Sequence, residues 1–214
     1  MLKKTQKKLN IVLLSGGMDS ACLLSWIRYL KKDCEELKAV FIDYGQRNAE
    51  EEYAAAAKIC CVNVVPCLYI KADNLFAFAT SAILNNTAVD EHSVKVDELP
   101  NRNATLISIA AANVAPNEHA VIYVGAHKTS APYADATPKF YRLMNKLIRY
   151  STNNRISVKA PFIHLSKLEL ARLGRKAGMT RLEFDSTVSC YEGNECGVCP
   201  ACIQRAKVMK EIFR

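Results

Sequence analysis

Glycine and proline are scarce in this chain, at 8 and 7 of its 214 residues, and tryptophan occurs once. That scarcity excludes collagen-like, linker-like and low-complexity character, and the lack of internal repeats excludes a solenoid. Long hydrophobic runs are missing as well. The apolar stretches are broken by Asp19, Lys38 or Lys71, well short of the ~18 residues a membrane-spanning helix needs. The basic opening MLKKTQKKLN has neither the apolar segment nor the small-residue cleavage site of a secretory signal, so a cytoplasmic location is expected. Two nucleotide-binding signatures are absent: there is no Gly-Lys-Ser/Thr triplet and no third glycine to complete a dinucleotide turn.

What is present suits one large α/β domain with a small appendage: half of the residues are hydrophobic and 23% are charged. The net charge of +8 is partly carried by the first ten residues and by a basic C-terminal helix. No arginine-rich stripe alternates with aromatics, so stable nucleic-acid binding is not expected, and an enzyme acting on an anionic nucleotide tolerates such a field.

Strands and helices alternate along the chain. Residues 9–14 read as a buried strand, 20–32 as a helix and LKAVFID at 37–43 as a second strand. The acid-first, alanine-rich run from Asn48 suits a helix. VNVVPCLYI at 62–70 reads as a third strand, whose Pro66 points to an edge or bulge. This rhythm predicts a doubly wound parallel sheet. It breaks at 85–103, a polar stretch too long to be an incidental loop. A helix over 104–115, a strand in AVIYVGA (120–126), a helix in FYRLMNKLIRY (140–150) and a strand in ISVKAPFI (156–163) follow. Ser166 with Glu169 three residues on forms a capping box that starts another helix. The expected division is a catalytic domain over 9–184 and a metal-binding segment with a terminal helix over 185–214.

The stretch IVLLSGGMDS at 11–20 carries the first chemistry. A glycine pair after a parallel strand turns the chain tightly and gathers backbone N–H groups into one concavity. The following helix offers its positive end to the same point. Ser15 and Ser20 add hydroxyls, and Asp19 is suited to hold a metal or orient a neighbour. Leu14, Ser15, Gly16, Gly17, Met18, Asp19 and Ser20 thus form a candidate phosphate site.

Of the nine cysteines, Cys22, Cys34, Cys60, Cys61 and Cys67 are scattered among apolar residues and read as buried or incidental thiols. The other four, Cys190, Cys196, Cys199 and Cys202, follow a C-x5-C-x2-C-x2-C pattern shaped by Gly197 and Pro200. Such spacing suits a closed tetrahedral zinc site with Zn–S near ~2.3 Å. An iron–sulfur cluster is the alternative; a disulfide framework does not suit an odd count in a reducing compartment.

SGGMDS directly after IVLL reproduces the SGGxDS signature of the PP-loop ATP pyrophosphatases, which split ATP into AMP and pyrophosphate. FIDYGQR at 41–47, PNRN at 100–103, APFIHLSKLEL at 160–170 and SCY…CGVCPAC at 189–202 follow in an order that resembles the QueC family of the queuosine pathway. The resemblance covers nearly the whole chain. It implies conversion of 7-carboxy-7-deazaguanine and ammonia to a nitrile, through an adenylated carboxylate and then an adenylated amide. It also implies ATP as co-substrate, Mg2+, one structural zinc and a homodimer. Lys167, in a K-x-E setting, is expected to stabilise departing pyrophosphate. Asp43, at the end of the second strand, reads either as a metal or nucleotide ligand or as a turn acid. Arg102 and Asn103 match the family's Arg-Asn pair, with Arg102 a candidate partner of the substrate carboxylate and Asn103 a substrate contact, a helix N-cap, or both. His127, Tyr133 and Asp135 lie in GAHKTSAPYADATPKF at 125–140, which resembles a family segment expected to border the substrate. His92, His119 and His164 read as surface or structural. In that segment Ala134, Ala136 and Lys139 stand where the family pattern has proline, cysteine and glutamate, and Thr129 and Ser130 stand where an acid is common. The first cysteine spacer is also shorter than usual.

Overall fold

The computed structural model describes residues 8–30, 36–77, 79, 81, 83–84, 98–128, 133–190, 193 and 195–214. The basic tail over 1–7, Cys34, the polar stretch over 85–97 with His92, and Thr129 and Ser130 lie outside the described residues.

Five parallel strands form one sheet in the order β3-β2-β1-β4-β5. They are β1 (Leu9–Leu13), β2 (Leu37–Asp43), β3 (Cys67–Lys71), β4 (Ala120–Tyr123) and β5 (Ile156–Lys159). The helices are α1 (Met18–Leu30), α2 (Ala49–Asn63), α3 (Arg102–Ala112), α4 (Pro138–Ser151), α5 (Lys167–Lys176), α6 (Arg181–Asp185) and α7 (Pro200–Ile212). Successive strand residues point to opposite faces, and the core divides accordingly. Val12, Phe41 and Val121 pack with residues of α1, α2, α5, α6 and α7, including Leu23, Ile59, Leu170, Phe184 and Val208. Their neighbours Ile11, Val40, Ile42 and Ile122 pack on the other face with Ile107 of α3 and Met144 and Ile148 of α4. The sheet is therefore covered on both sides, the doubly wound arrangement expected from the alternation.

Some boundaries differ from the sequence reading. Helix α1 starts at Met18, two residues earlier than expected, which places Asp19 and Ser20 in its first turn. The expected third strand over 62–70 is β3 alone: α2 runs on to Asn63 and is closed by Val64 in a left-handed conformation (φ 53°). Helix packing of Ile59 and Cys60 outweighs the strand preference of the valines that follow. Pro66 precedes β3, which is an edge strand as the proline suggested. β5 stops at Lys159, and a turn over Ala160–Ile163 replaces the rest of the expected strand. Among the described residues no helix is long and apolar enough to cross a membrane.

The sheet order reverses direction about β1 and β4, and the carboxyl ends of parallel strands at such a point open onto a crevice. Into that crevice the glycine turn, α3 and the segment after β4 all converge.

Candidate active site

The turn after β1 is closed by its own side chains. Ser15 N–H donates to Ser20 Oγ at 3.2 Å, and Ser20 Oγ donates to the Gly17 carbonyl at 3.0 Å. Gly16 has φ +75°, and a Cβ there would stand 2.2 Å from the Glu52 carbonyl oxygen, because α2 crosses directly over the turn. Gly125, beyond β4, is also close to the turn, though less tightly: its Cβ would lie 3.1 Å from Ser20 Cα. The first helical bond of α1 runs from Ala21 N–H to Gly17 carbonyl at 3.0 Å, so the N–H groups of Met18, Asp19 and Ser20 have no intrahelical acceptor. Donors without partners at the positive end of a helix make an anion site.

Two distant residues reach the same turn. Asp19 Oδ2 lies 3.2 Å from His127 Nε2 and 3.7 Å from Lys167 Nζ. Lys167 is the first residue of α5, placed by the capping box: Ser166 Oγ accepts from Glu169 N–H at 3.3 Å, and Glu169 Oε2 accepts from Ser166 N–H at 2.7 Å. A bond from Lys128 N–H to Leu165 carbonyl, 2.8 Å long, ties the segment after β4 to the start of α5 and so brings His127 and Lys167 together. Both side chains are buried. Burial by itself would raise the Asp19 carboxyl, but the His127 hydrogen bond and the Lys167 charge outweigh it and hold it below the ordinary value. Asp19 Oδ1 is buried and has no hydrogen-bond partner among the described residues. An ionised oxygen so placed is a suitable ligand for a magnesium ion accompanying a phosphate.

A cavity of about 360 Å³ opens from the turn. Its wall includes Leu14, Ser15, Asp19 and Ser20, then Tyr44, Gln46 and Glu52, then Arg102, Asn103, Tyr133, Ala136 and Tyr141. Burial works against the Arg102 charge, but its hydrogen bond to Tyr44 and the nearby Asp135 and Tyr133 more than compensate, raising its pKa. Asn103 and Asp135 are partners: Asp135 Oδ2 accepts the Asn103 N–H and the Asn103 side chain donates to the Asp135 carbonyl, each at 2.9 Å. Asn103 is thus not the N-cap of α3; Asn101 holds that position with φ 58°, and Asp135 satisfies a first-turn N–H from outside the helix. His127 and Asp135 stand behind the wall, whereas Tyr133 and Asn103 are on it. Asp43 is engaged in the turn after β2, accepting from Gly45 N–H at 3.0 Å and from the Tyr69 hydroxyl, and does not line the cavity.

Glu52 was not singled out by the sequence. Its place in an acid run at a helix start reads as ordinary dipole complementarity, yet Gln46 Nε2 holds its Oε2 at 3.1 Å against the cavity. Burial pushes its pKa up to about 7, beyond what the Gln46 hydrogen bond and the Arg102 charge restore. Only the length of the side chain and the crossing of α2 over Gly16 give it this position, and neither is legible in the run itself.

Cys190, Cys196, Cys199 and Cys202 come together with all four Sγ atoms within 4.8 Å of one another. Cys199 N–H donates to Cys196 Sγ and Cys202 N–H to Cys199 Sγ, each at 3.4 Å. Four sulfurs about 2.3 Å from one tetrahedral ion stand roughly 3.8 Å apart, so the set needs only a small contraction to enclose a single zinc; a multi-iron cluster would hold the sulfurs further apart. The segment is anchored from two sides. Asn48 Nδ2 donates to the Cys190 carbonyl at 3.3 Å. The buried Arg205 of α7 donates to the Thr187 hydroxyl and to the Phe184 carbonyl. Between these anchors, Val188 N–H donates to the Gly16 carbonyl at 3.0 Å.

A parallel sheet whose first strand ends on an SGGxDS turn, with a lysine and the following helix aimed at it, defines a PP-loop enzyme that uses ATP. Within that class the chain belongs to the QueC family: the family model described as "Queuosine biosynthesis protein QueC" matches residues 9–213. It is 33% identical to the 7-cyano-7-deazaguanine synthase of Aquifex aeolicus over 95% of this chain and 97% of that protein. It is 34% identical to the 7-cyano-7-deazaguanine synthase of Sulfurihydrogenibium sp. over 100% and 98%. Its fold is similar to that of the U34-tRNA thiolase NcsA from Methanococcus maripaludis with its [4Fe-4S] cluster, with a TM-score of 0.51, 14% identity, and coverage of 97% of this chain and 66% of that one. The chain is accordingly an ATP-dependent ligase with a cysteine metal site, and C–N ligation is its reaction class.

Proposed function

We propose that the chain converts 7-carboxy-7-deazaguanine and ammonia into 7-cyano-7-deazaguanine, with two ATP molecules cleaved to AMP and pyrophosphate. The observation that carries this reading is the continuity of one cavity from the glycine turn to Arg102, in a chain of this family. A carboxylate oxygen is a poor leaving group, and transfer of AMP makes it a good one. In this reading the turn and the N–H groups of Met18, Asp19 and Ser20 bind the phosphates, and Lys167 neutralises the departing pyrophosphate. Arg102, kept cationic at the far wall, pairs with the substrate carboxylate and aligns it for attack on the α-phosphate. Tyr133 and Asn103 complete the substrate side of the wall. Asp19 would hold magnesium through Oδ1; bound there, the ion would offset phosphate charge. His127 and Asp135 act from behind, fixing Asp19 and the start of α3.

A related amide-forming or amine-conjugating reaction is favoured by one observation. Ala136, where the family pattern has cysteine, lies on the cavity wall. Mass spectrometry of the products formed from purified protein, ATP, magnesium, ammonium and 7-carboxy-7-deazaguanine separates the two. A nitrile with AMP supports the first reading, and an amide, heavier by one water, supports the second. The zinc, the cytoplasmic location, the homodimer and the division at 184/185 belong to the same proposal. Leu143, Leu147 and Tyr150 supply an exposed apolar stripe on α4 for self-association.

A further inference from the structure

Joining ammonia to an activated acyl group releases protons as well as AMP. Ammonium loses one proton to become a nucleophile, the adduct loses another, and an amide nitrogen gives up two on the way to a nitrile. The cavity wall therefore needs a proton acceptor near the turn where the bond to AMP is made and broken. Most titratable groups there are committed to other states. Asp19 is held ionised by His127 and Lys167, Arg102 keeps its charge, and burial raises the pKa of the Tyr44 and Tyr141 hydroxyls and keeps them protonated.

Glu52 differs from these in place and in state. It stands on the cavity wall in the first turn of α2, its own carbonyl lying over Gly16. Gln46 Nε2 fixes its Oε2, and the Gln46 side-chain oxygen Oε1 in turn accepts from Tyr44 N–H at 2.9 Å. Its Oε1 makes no hydrogen bond among the described residues. The charged and titratable groups facing it are Arg102 from α3, Asp43 and Tyr44 from the end of β2, and Glu51 from its own helix.

We propose that Glu52 is the general base that takes the nitrogen's proton as the C–N bond forms and AMP departs. The role rests on the reaction proposed above. The ammonia lone pair attacks the acyl carbon, the C–O bond to AMP breaks with its electrons leaving on AMP, and an N–H proton passes to Glu52 and then to water. In the second half-reaction the amide oxygen carries AMP. Its C–O bond breaks as the N–H electrons complete the C≡N bond, and Glu52 again accepts a proton. A carboxyl lifted to about 7 is balanced between holding and releasing that proton at neutral pH.

Adenylation of the carboxylate needs no base, whereas the ammonia step does, and the two are measured separately. Glu52→Gln is expected to keep pyrophosphate exchange into ATP, dependent on 7-carboxy-7-deazaguanine, within about threefold of the wild type. Its ammonia-dependent product formation is expected to fall roughly 100- to 10,000-fold, and Glu52→Asp to recover part of the loss. At constant free ammonia, the acidic limb of the wild-type rate profile near about 7 should be absent in the glutamine variant. Product formation within tenfold of the wild type, or an unchanged acidic limb, would overturn the role. Joint loss of exchange and turnover would overturn it too, and would assign Glu52 to binding. A wild type with no substrate-dependent exchange would remove the reaction itself, and this role with it.

Discussion

The glycine turn and the cysteine cluster each hold charge, and they are built in opposite ways. The turn is made of backbone: consecutive residues, a left-handed Gly16 and serines that bond one another. The cluster is made of side chains spread over thirteen positions, of which Cys196 is exposed and Cys199 half-buried, and its short segments have little core of their own. The first is shaped by its own backbone and hydroxyls, whereas the second brings together four thiols whose natural common partner is a metal. The difference teaches where the chain spends its rigidity. A phosphate that comes and goes at each turnover needs a permanent receptacle, while a resident metal can replace a core.

Four substitutions or treatments test that contrast, from the largest expected effect to the smallest. Lys167→Ala should lower kcat about 100- to 1,000-fold, on the order of 3–4 kcal/mol of transition-state stabilisation, and should also lower Tm, because the buried Asp19 carboxylate loses one of the charges that offset its burial; steady-state kinetics beside a melting curve would measure both. Gly16→Ala should cost on the order of 3 kcal/mol, since the new Cβ meets the Glu52 carbonyl at 2.2 Å with φ +75°. It is read as a fall in Tm of roughly 6–12 °C for a chain of this size, and a normal melting temperature would mean that the turn is softer than it looks.

Cys199→Ser should abolish zinc binding at the cluster, measured by metal analysis of both proteins, and lower Tm by roughly 5 °C. ATP binding should weaken with it only if the Val188–Gly16 bond carries the disturbance to the turn. The smallest effect concerns pH. Glu52 folds with a raised pKa of about 7, so its buried carboxylate is a cost that grows as pH rises from the unfolded value toward about 7 and is then fully present. Glu52→Gln should therefore raise Tm at pH 8, by roughly 2 °C after allowing for solvent screening, and leave it nearly unchanged below the unfolded value, at about pH 4. Asp19 has the opposite sign. Its lowered pKa contributes stability at neutral pH that is lost as pH falls through the folded value.

Most of this contrast is legible in the sequence, for physical reasons that differ between the two sites. The turn can be read because backbone geometry imposes glycine, and because a parallel strand before it and a helix after it leave one place for the anion. The cysteines can be read because tetrahedral ligation imposes spacing. The placing of Lys167 follows from the Ser166–Glu169 capping box, a local signal. What escaped is long-range. Asp135 as the cap of α3, His127 behind Asp19, and Glu52 on the cavity wall each depend on how separate helices cross. No periodicity within a single element encodes such a crossing. The overreach at residues 62–64 has the same origin, since a β-branched run became the end of a helix under the packing of Ile59 and Cys60.

The bond from Val188 to Gly16 has a consequence in time. At ~5–20 residues per second, a ribosome adds residue 188 roughly 10–35 s after residue 16. Through that interval the nascent nucleotide turn is without its last backbone partner, and the helix that bears Lys167 is itself made late. The growing chain is thus expected to be unable to grip ATP until almost all of it has been translated, and truncated products released early would not drain the nucleotide pool.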